Sequence, residues 1–255
     1  MTTLGLSRAV VELPAIGLSE LQERADLLTR VDRKYVLEAG ELDALSAFLP
    51  DDARVLEIEG ERAFDYRSTY LDTDRLDAYL DTARKRRRRW KVRTRLYLST
   101  GTSFLEVKTR RGPTTVKERI PWSGVRLGHF GADFVEASLH SAGVSVDALT
   151  LRPAVTTCYR RTTLLLPTSG ARVTIDRDLS WSDITVARRL EFGDRVIVET
   201  KSPSAPSEFD RLLWSHGIRP LALSKYAVGM AALHPALPRN RWHRLMATRP
   251  IDAAA

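Results

Sequence analysis

The sequence predicts one α+β domain rich in antiparallel strands, closed into a barrel whose charged faces point inward. Three observations carry this expectation. Six strand-length segments alternate charged and apolar residues with a period of two. Several are joined by short turns such as Gly101-Thr102 and Arg111-Gly112-Pro113. Helical segments are available to cover the apolar faces.

Taken in order, residues 1–17 read as a flexible lead. Ser19-Glu20-Leu21-Gln22 is a capping box, and Leu18, Leu21, Ala25 and Leu28 continue at helical spacing, predicting a helix over 18–28. Residues 29–37 are strand-like, and Leu42, Leu45, Phe48 and Leu49 mark a short helix stopped by Pro50. A strand is expected at 64–71, then a helix at 74–80 capped by Thr73. Strands follow at 90–98, 103–109 and 115–121, and a helix at 131–142. Four more strands are expected at 155–166, 172–176, 185–192 and 195–201. Helices at 207–216, ended by Gly217, and at 224–234 complete the domain, placed at residues 18–235, with 236–255 as a tail.

Composition narrows the function. One cysteine, Cys158, excludes an internal disulfide framework. The longest stretch without Asp, Glu, Lys or Arg is thirteen residues, 226–238, whereas a membrane span needs about 20. With no signal-like N-terminus, the chain is expected to be soluble and cytoplasmic. Its net charge of +8 is focused: nine basic residues and no acidic one lie between Arg84 and Arg95, and without them the rest carries −1. Such a field implies a polyanionic partner. The block at 84–89 is of the kind that marks nucleic-acid patches, but no helix-turn-helix, zinc-finger or RRM signature accompanies it. It reads as a solvated loop or funnel leading into the strand at 91–95, and no nucleic-acid partner is expected. P-loop and Rossmann glycine motifs are absent.

The faces of the strands carry the chemistry. Arg30, Asp32 and Lys34 share a face, as do Lys91, Arg93 and Arg95. Glu106 shares one with Lys108, Lys117 with Arg119, Arg172 with Asp176, and Glu199 with Lys201. The opposite faces hold Val31 and Tyr35, Val92 and Leu96, Leu105 and Val107, Val116 and Ile120, Val173 and Ile175, and Val198. An ordinary half-buried sheet also has one polar face. Here, however, that face totals ten basic and four acidic residues, and the acidic ones recur as Glu-x-Lys. Cations gathered in a lumen repel one another unless a polyanion lies among them, with the few carboxylates holding a divalent cation on its phosphates. Trp90, beside the basic block, is a packing residue or a platform for a base. The five histidines are scattered without metal-ligand spacing.

Matching pieces occur in order: Arg30-x-Asp32-x-Lys34-Tyr35, Tyr70-Leu71-Asp72-Thr73 with Tyr79, Lys91-x-Arg93-x-Arg95-x-Tyr97, Leu105-Glu106-x-Lys108 and Lys117-x-Arg119. They continue through Pro153, Tyr159-x-Arg161, Arg172-x-Thr174-x-Asp176, Glu199-x-Lys201 and Ser224-Lys225-Tyr226. On these residues the chain resembles the VTC (vacuolar transporter chaperone) domain. This is the polyphosphate polymerase branch of the triphosphate tunnel metalloenzyme (CYTH-like) superfamily. The resemblance implies an eight-stranded antiparallel β-barrel, or tunnel, with a basic lumen and helices packed outside. It also implies transfer of the ATP γ-phosphoryl group to a growing polyphosphate chain with a divalent metal, Mn²⁺ or Mg²⁺.

By the same resemblance Arg93, Arg95, Lys108, Lys201 and Lys225 are the catalytic candidates, and Lys34, Lys91, Lys117, Arg119, Arg161 and Arg172 bind phosphates. Glu199 is the metal ligand and Glu106 a second candidate, although Glu106 and Asp176 equally suit ion pairs with neighbouring arginines. Tunnel triphosphatases begin with Glu-x-Glu-x-Lys, whereas this chain has Arg30 and Asp32, which favours the polymerase branch. The alternatives are a triphosphatase acting on inorganic or nucleoside triphosphate, and a module that binds a phosphorylated ligand without turnover. Eukaryotic relatives are tethered to membrane channels, which allows for a separate membrane-protein partner.

Overall fold

The computed structural model describes residues 8–24, 30–112, 114–124, 127–183, 185–248 and 251–253. The second half of the helix expected at 18–28, the first residue of the strand at 29 and Pro113 of the expected turn lie outside them. In chain order the elements begin with α1 (Arg8–Val11), β1 (Ala15–Ile16), α2 (Leu18–Arg24), β2 (Val31–Glu38), α3 (Ala39–Ser46) and β3 (Arg54–Leu56). Next come β4 (Phe64–Asp72), α4 (Asp77–Ala83), β5 (Arg88–Tyr97), β6 (Ser103–Arg111), β7 (Thr114–Pro121) and α5 (Gly128–Ser141). The chain continues with β8 (Arg152–Leu166), β9 (Ala171–Asp183), β10 (Arg188–Glu191), β11 (Arg195–Ser202), α6 (Glu208–Ser215), α7 (Lys225–Leu233) and α8 (His243–Thr248). The α+β class and the antiparallel pairing agree with the alternation in the sequence. No helix among the described residues is long and apolar enough to cross a membrane.

The chain forms two compact units. The first comprises Met1–Phe64, Tyr159–Leu179 and Phe192–Ala222. In it β11 pairs antiparallel with both β2 and residues 172–176 of β9, making a three-strand ladder. Strand β3 pairs with the end of β8 and, in parallel, with β1. The core joins Tyr35 and Leu37 of β2, Val173 and Ile175 of β9, and Val196 and Val198 of β11 to Leu42, Phe209 and Leu213 from α3 and α6. Val10 and Ile16, ahead of residue 18, are buried as well.

The second unit comprises Asp65–Cys158, Ser180–Glu191 and Leu223–Ala255. Strands β4, β5, β6 and β7 form an antiparallel meander. Trp90, Val92, Leu105 and Val107 are buried, and α5 packs on β6 with Val135 and Leu139 inward. Gly229 lets α7 approach Trp181: a Cβ there would come within 2.1 Å of the indole, whose Nε1 donates to the Lys225 carbonyl at 2.8 Å. Beyond residue 235, Trp242 is buried against Tyr79, ring centroids 5.9 Å apart.

Four expectations need correction. Val31 and Val116 are 40% and 48% exposed, so their strands do not bury a complete apolar face. For β7 the reason is position, because it ends the ladder with β6 as its one paired neighbour among the described strands. Thr73 is not the N-cap residue of the following helix, although its Oγ1 accepts from Asp77 N at 3.1 Å. That helix begins at Asp77, after Leu76 in the left-handed region at φ 58°, and the Asp72 carboxylate accepts from Ala78 N at 2.9 Å and Tyr79 N at 3.0 Å. Strand β9 runs seven residues past the expected 176, because Asp178 at φ 54° breaks the alternation without ending the strand. Finally, the strand expected at 185–192 begins only at Arg188: Thr185 turns back onto Asp183, its N and Oγ1 donating to Oδ1 at 2.7 and 2.6 Å.

Asp210 is the polar centre of the first unit. Fully buried, it accepts from Tyr35 Oη and Thr200 Oγ1 at 2.6 Å each, and from Ser207 N and Oγ at 2.8 Å each. Burial, followed by the Asp210 hydrogen bond and charge, raises the Tyr35 phenol above its ordinary value. Asp210→Ala strands several buried donors, so we expect a loss of about 3–5 kcal/mol. Asn should cost less. Thermal unfolding checks this, and an unchanged melting temperature for the alanine variant would contradict it.

Candidate functional site

Two three-strand ladders, one in each unit, carry the candidate residues in rows across the strands. In the first unit Lys34, Glu199 and Thr174 form one row, and Asp32, Lys201 and Arg172 the next. In the second unit Arg93, Glu106 and Arg119 form one row, and Lys91, Lys108 and Lys117 the next. Each Glu-x-Lys therefore lies on the middle strand of a ladder, β11 or β6; Glu106 reaches cations on both flanking strands, whereas Glu199 reaches Lys34 on β2 and faces Thr174 on β9.

In the second unit Glu106 is 2% exposed and surrounded by cations. Lys117 Nζ lies 2.6 Å from Oε1, while Arg93 Nη2 and Nε lie 2.6 and 2.7 Å from Oε2. Burial alone would raise its pKa, but the charges of Arg93 and Lys117 hold it below the ordinary carboxylate value. Arg95 Nε stands 3.6 Å from Oε2, too far for a hydrogen bond, and is a buried donor with no hydrogen-bond partner in the structure. Arg93 Nη1 also donates to Tyr70 Oη at 2.8 Å. Tyr70 stacks on Tyr226 at 5.0 Å between centroids, and Tyr226 donates to Asp72. Arg119 lies over the Phe104 ring at 4.6 Å.

Several candidates stand at the margin of this cluster. Lys108 is exposed, Lys91 half-buried, and Lys117 keeps 37% of its side chain exposed while reaching Glu106. Lys225 opens α7, where Ser224 Oγ caps the helix by accepting from Ala227 N. The Lys225 backbone carbonyl accepts from Trp181 Nε1. Trp90 is buried on the face opposite Lys91, so it packs the core and offers no platform for a base.

In the first unit Lys34 Nζ lies 2.5 Å from Glu199 Oε1. Burial works to neutralise Glu199, but Lys201, Lys34 and Arg161 together hold its pKa well below the ordinary value. Arg161 grips Asp176 with two parallel bonds, Nε–Oδ1 at 2.6 Å and Nη2–Oδ2 at 2.8 Å. Asp176 is thus an ion-pair partner of an arginine. Arg30 and Asp32 pair at 2.9 Å. Arg172 stands in register with Lys201.

The carboxylates differ in what they can do. Glu106 has both oxygens engaged by cations, a donor set that does not suit a divalent metal. Glu199 is ionised and partly exposed, and a hard divalent ion bound with phosphates needs only one or two carboxylates from the protein. Glu199 fits that requirement. Among the described residues no three His, Cys, Asp or Glu side chains gather as a metal cage. Sequence reasoning gave no role to Tyr70, Tyr226 or Asp72, the chain of contacts that positions Arg93. Tyr70 and Asp72 share one face of β4 by period-two spacing, whereas Tyr226 comes from α7.

The VTC domain family matches residues 29–234, about four fifths of the chain. No curated protein matches it. Similar solved structures include a candidate adenylate cyclase from Bacillus halodurans, at 14% identity and TM-score 0.49, covering 77% of this chain and 94% of its own. A protein of Pyrococcus horikoshii OT3 follows at 11% identity and TM-score 0.45, covering 78% and 97%. A candidate adenylyl cyclase from Hippeastrum, whose dominant activity is given as that of a triphosphatase, shares 16% identity at TM-score 0.46, covering 84% and 100%. Extending over both ladders and every candidate residue, the family match identifies this chain as a member of the VTC domain family.

Proposed function

We propose that this chain is a metal-dependent phosphotransferase that moves the γ-phosphoryl group of ATP onto a growing polyphosphate chain. The observation that carries this reading is the row Lys91–Lys108–Lys117, three lysines in register on adjacent strands, the last of them paired with Glu106. Like charges so placed destabilise a sheet. A chain of phosphates laid along the face removes that cost, and the buried Arg95 Nε supplies a donor for it. Membership of the VTC domain family supports the same substrate class.

The residue types suit the reaction. A terminal polyphosphate oxygen attacks the γ-phosphorus, the bond to the β–γ bridging oxygen breaks, and ADP leaves with that oxygen. Such an acceptor is largely ionised near neutral pH, since a phosphate monoester's second pKa is about 6, so no general base is required. What the protein contributes is in-line positioning and neutralisation of spreading charge. Arg93 and Arg95 are forks for equatorial oxygens, and Lys34, Lys108, Lys117, Lys201 and Lys225 are point charges. Lys91, Arg119, Arg161 and Arg172 extend the phosphate-binding faces. Glu199 would hold a divalent ion, Mn²⁺ or Mg²⁺, which neutralises phosphate charge when bound. Glu106 keeps Arg93, Arg95 and Lys117 together.

Incubation with ATP and Mn²⁺, followed by ³¹P NMR, should show ADP and a growing mid-chain phosphate resonance. Orthophosphate matching ADP, without polymer, would make the chain a triphosphatase; ligand-dependent shifts without turnover would make it a binding module. Glu199→Ala should lower metal-dependent turnover by more than about 100-fold, and added Mn²⁺ should not restore it. Unchanged turnover at saturating Mn²⁺ removes Glu199 from the site. Arg93→Ala combined with Arg95→Ala should weaken triphosphate binding by at least about tenfold at both low and high salt, because poorly solvated pairs are little screened. A loss confined to low salt would place these arginines on an ordinary solvated surface.

A further inference from the structure

The basic block at 84–89 is not absorbed by the ladder chemistry. On β5 the candidate phosphate-binding side chains Lys91, Arg93 and Arg95 occupy one face, and Arg88 lies on the other, with Trp90 and Val92. Arg88 is in register with Arg111 of β6. These two arginines, with Arg86 and Arg87, line a cavity of about 620 Å³ completed by Asp81, Gly143 and Val144. It lies where the end of α4 and the end of α5 meet the β5–β6 pair, wholly within the second unit.

The cavity is built by ordered backbone. Arg86 N donates to the Asp81 carbonyl at 2.9 Å and Gly112 N to the Arg87 carbonyl at 3.0 Å, so the loop carrying the arginines is fixed at both sides. Gly143 stands at φ +70°, and a Cβ there would meet the Arg88 guanidinium carbon at 3.2 Å. The glycine lets Arg88 lie against the backbone, where Nη1 donates to the Gly143 carbonyl at 3.2 Å. Arg86, Arg87 and Arg111 make no side-chain hydrogen bond or ion pair among the described residues.

The charges do not cancel. Opposing the four guanidinium groups are the Asp81 carboxylate and the negative ends of two helices, each worth about half a charge. About two positive charges remain in a concavity of small-molecule size. We propose that this cavity is a second anion site that binds a compact ligand carrying three or more phosphate groups, on the face of β5 and β6 opposite the ladder cluster. It does not rest on the phosphotransferase reading, because binding alone tests it. A small polyphosphorylated ligand is favoured over nucleic acid because the arginines converge into a pocket and do not spread along a surface.

The probe is inorganic tripolyphosphate, titrated calorimetrically at about 150 mM salt, where weak surface attraction is screened. In the Arg93→Ala/Arg95→Ala background one tripolyphosphate site should persist. Adding Arg87→Ala and Arg111→Ala should weaken it at least about tenfold. Gly143→Ala, which removes no charge, should weaken it too by displacing Arg88. In the otherwise unchanged chain, Arg87→Ala with Arg111→Ala should remove one tripolyphosphate equivalent, with the melting curve showing that the variant is folded. ATP binding as tightly as tripolyphosphate would assign the site to the shared triphosphate group, and tripolyphosphate alone to an inorganic ligand. Binding indifferent to Arg87, Arg111 and Gly143 overturns the proposal. So does a short single-stranded DNA that displaces tripolyphosphate at lower concentration.

Discussion

Everything in this chain depends on how few carboxylates are set among many cations. Glu106 holds Arg93 and Lys117 directly and has Arg95 at its margin. Glu199 holds Lys34 and lies within the field of Lys201 and Arg161. A buried carboxylate without those cations would be strongly disfavoured, and the cations without it would repel one another. Each ladder is therefore stable enough to fold yet retains positive charge. That surplus is what the proposed phosphate ligand would offset.

The two ladders meet this constraint in similar ways with different residues. On β6 the glutamate is flanked by arginines at 93 and 119; on β11 it is flanked by Lys34 and Thr174. Arg93 holds one oxygen of Glu106 and Lys117 the other, and Glu106 is correspondingly sealed. The lysine beside Glu199 is a single movable point charge, leaving that carboxylate more available to a divalent ion. The same residue pattern thus yields a structural anchor in one unit and a candidate metal ligand in the other.

Much of this was legible in the sequence, because β-strand alternation converts spacing directly into facing. Lys91, Arg93 and Arg95 could be put on one side of a strand, and Val92 on the other, without any structure. Register was not legible. Nothing in the sequence says that Glu106 lies opposite both Arg93 and Arg119, so its ion-pair and metal roles could not be separated. Strand limits failed where a local conformation breaks the period, as at Asp178 and Ala187, both at positive φ. The cap of α4 was misread because Asp72 reaches forward from the end of a strand over an intervening turn, a geometry that helix-start patterns do not contain. Val31 and Val116 were misplaced because alternation reports which residues share a face but not whether anything covers it.

The central claim is that the ladders hold positive charge that a multivalent phosphate would offset. The most direct measurement is thermal unfolding of the chain with increasing tripolyphosphate, against sodium chloride at matched ionic strength, in the wild type and in the Arg93→Ala/Arg95→Ala variant. At about one hundred times the dissociation constant, binding to the native state alone stabilises by about 2.7 kcal/mol, or several degrees in melting temperature. The account predicts a rise of that size with tripolyphosphate in the wild type, a smaller one in the variant, and little with chloride. Equal effects of the two salts, or equal effects on the two proteins, would contradict it.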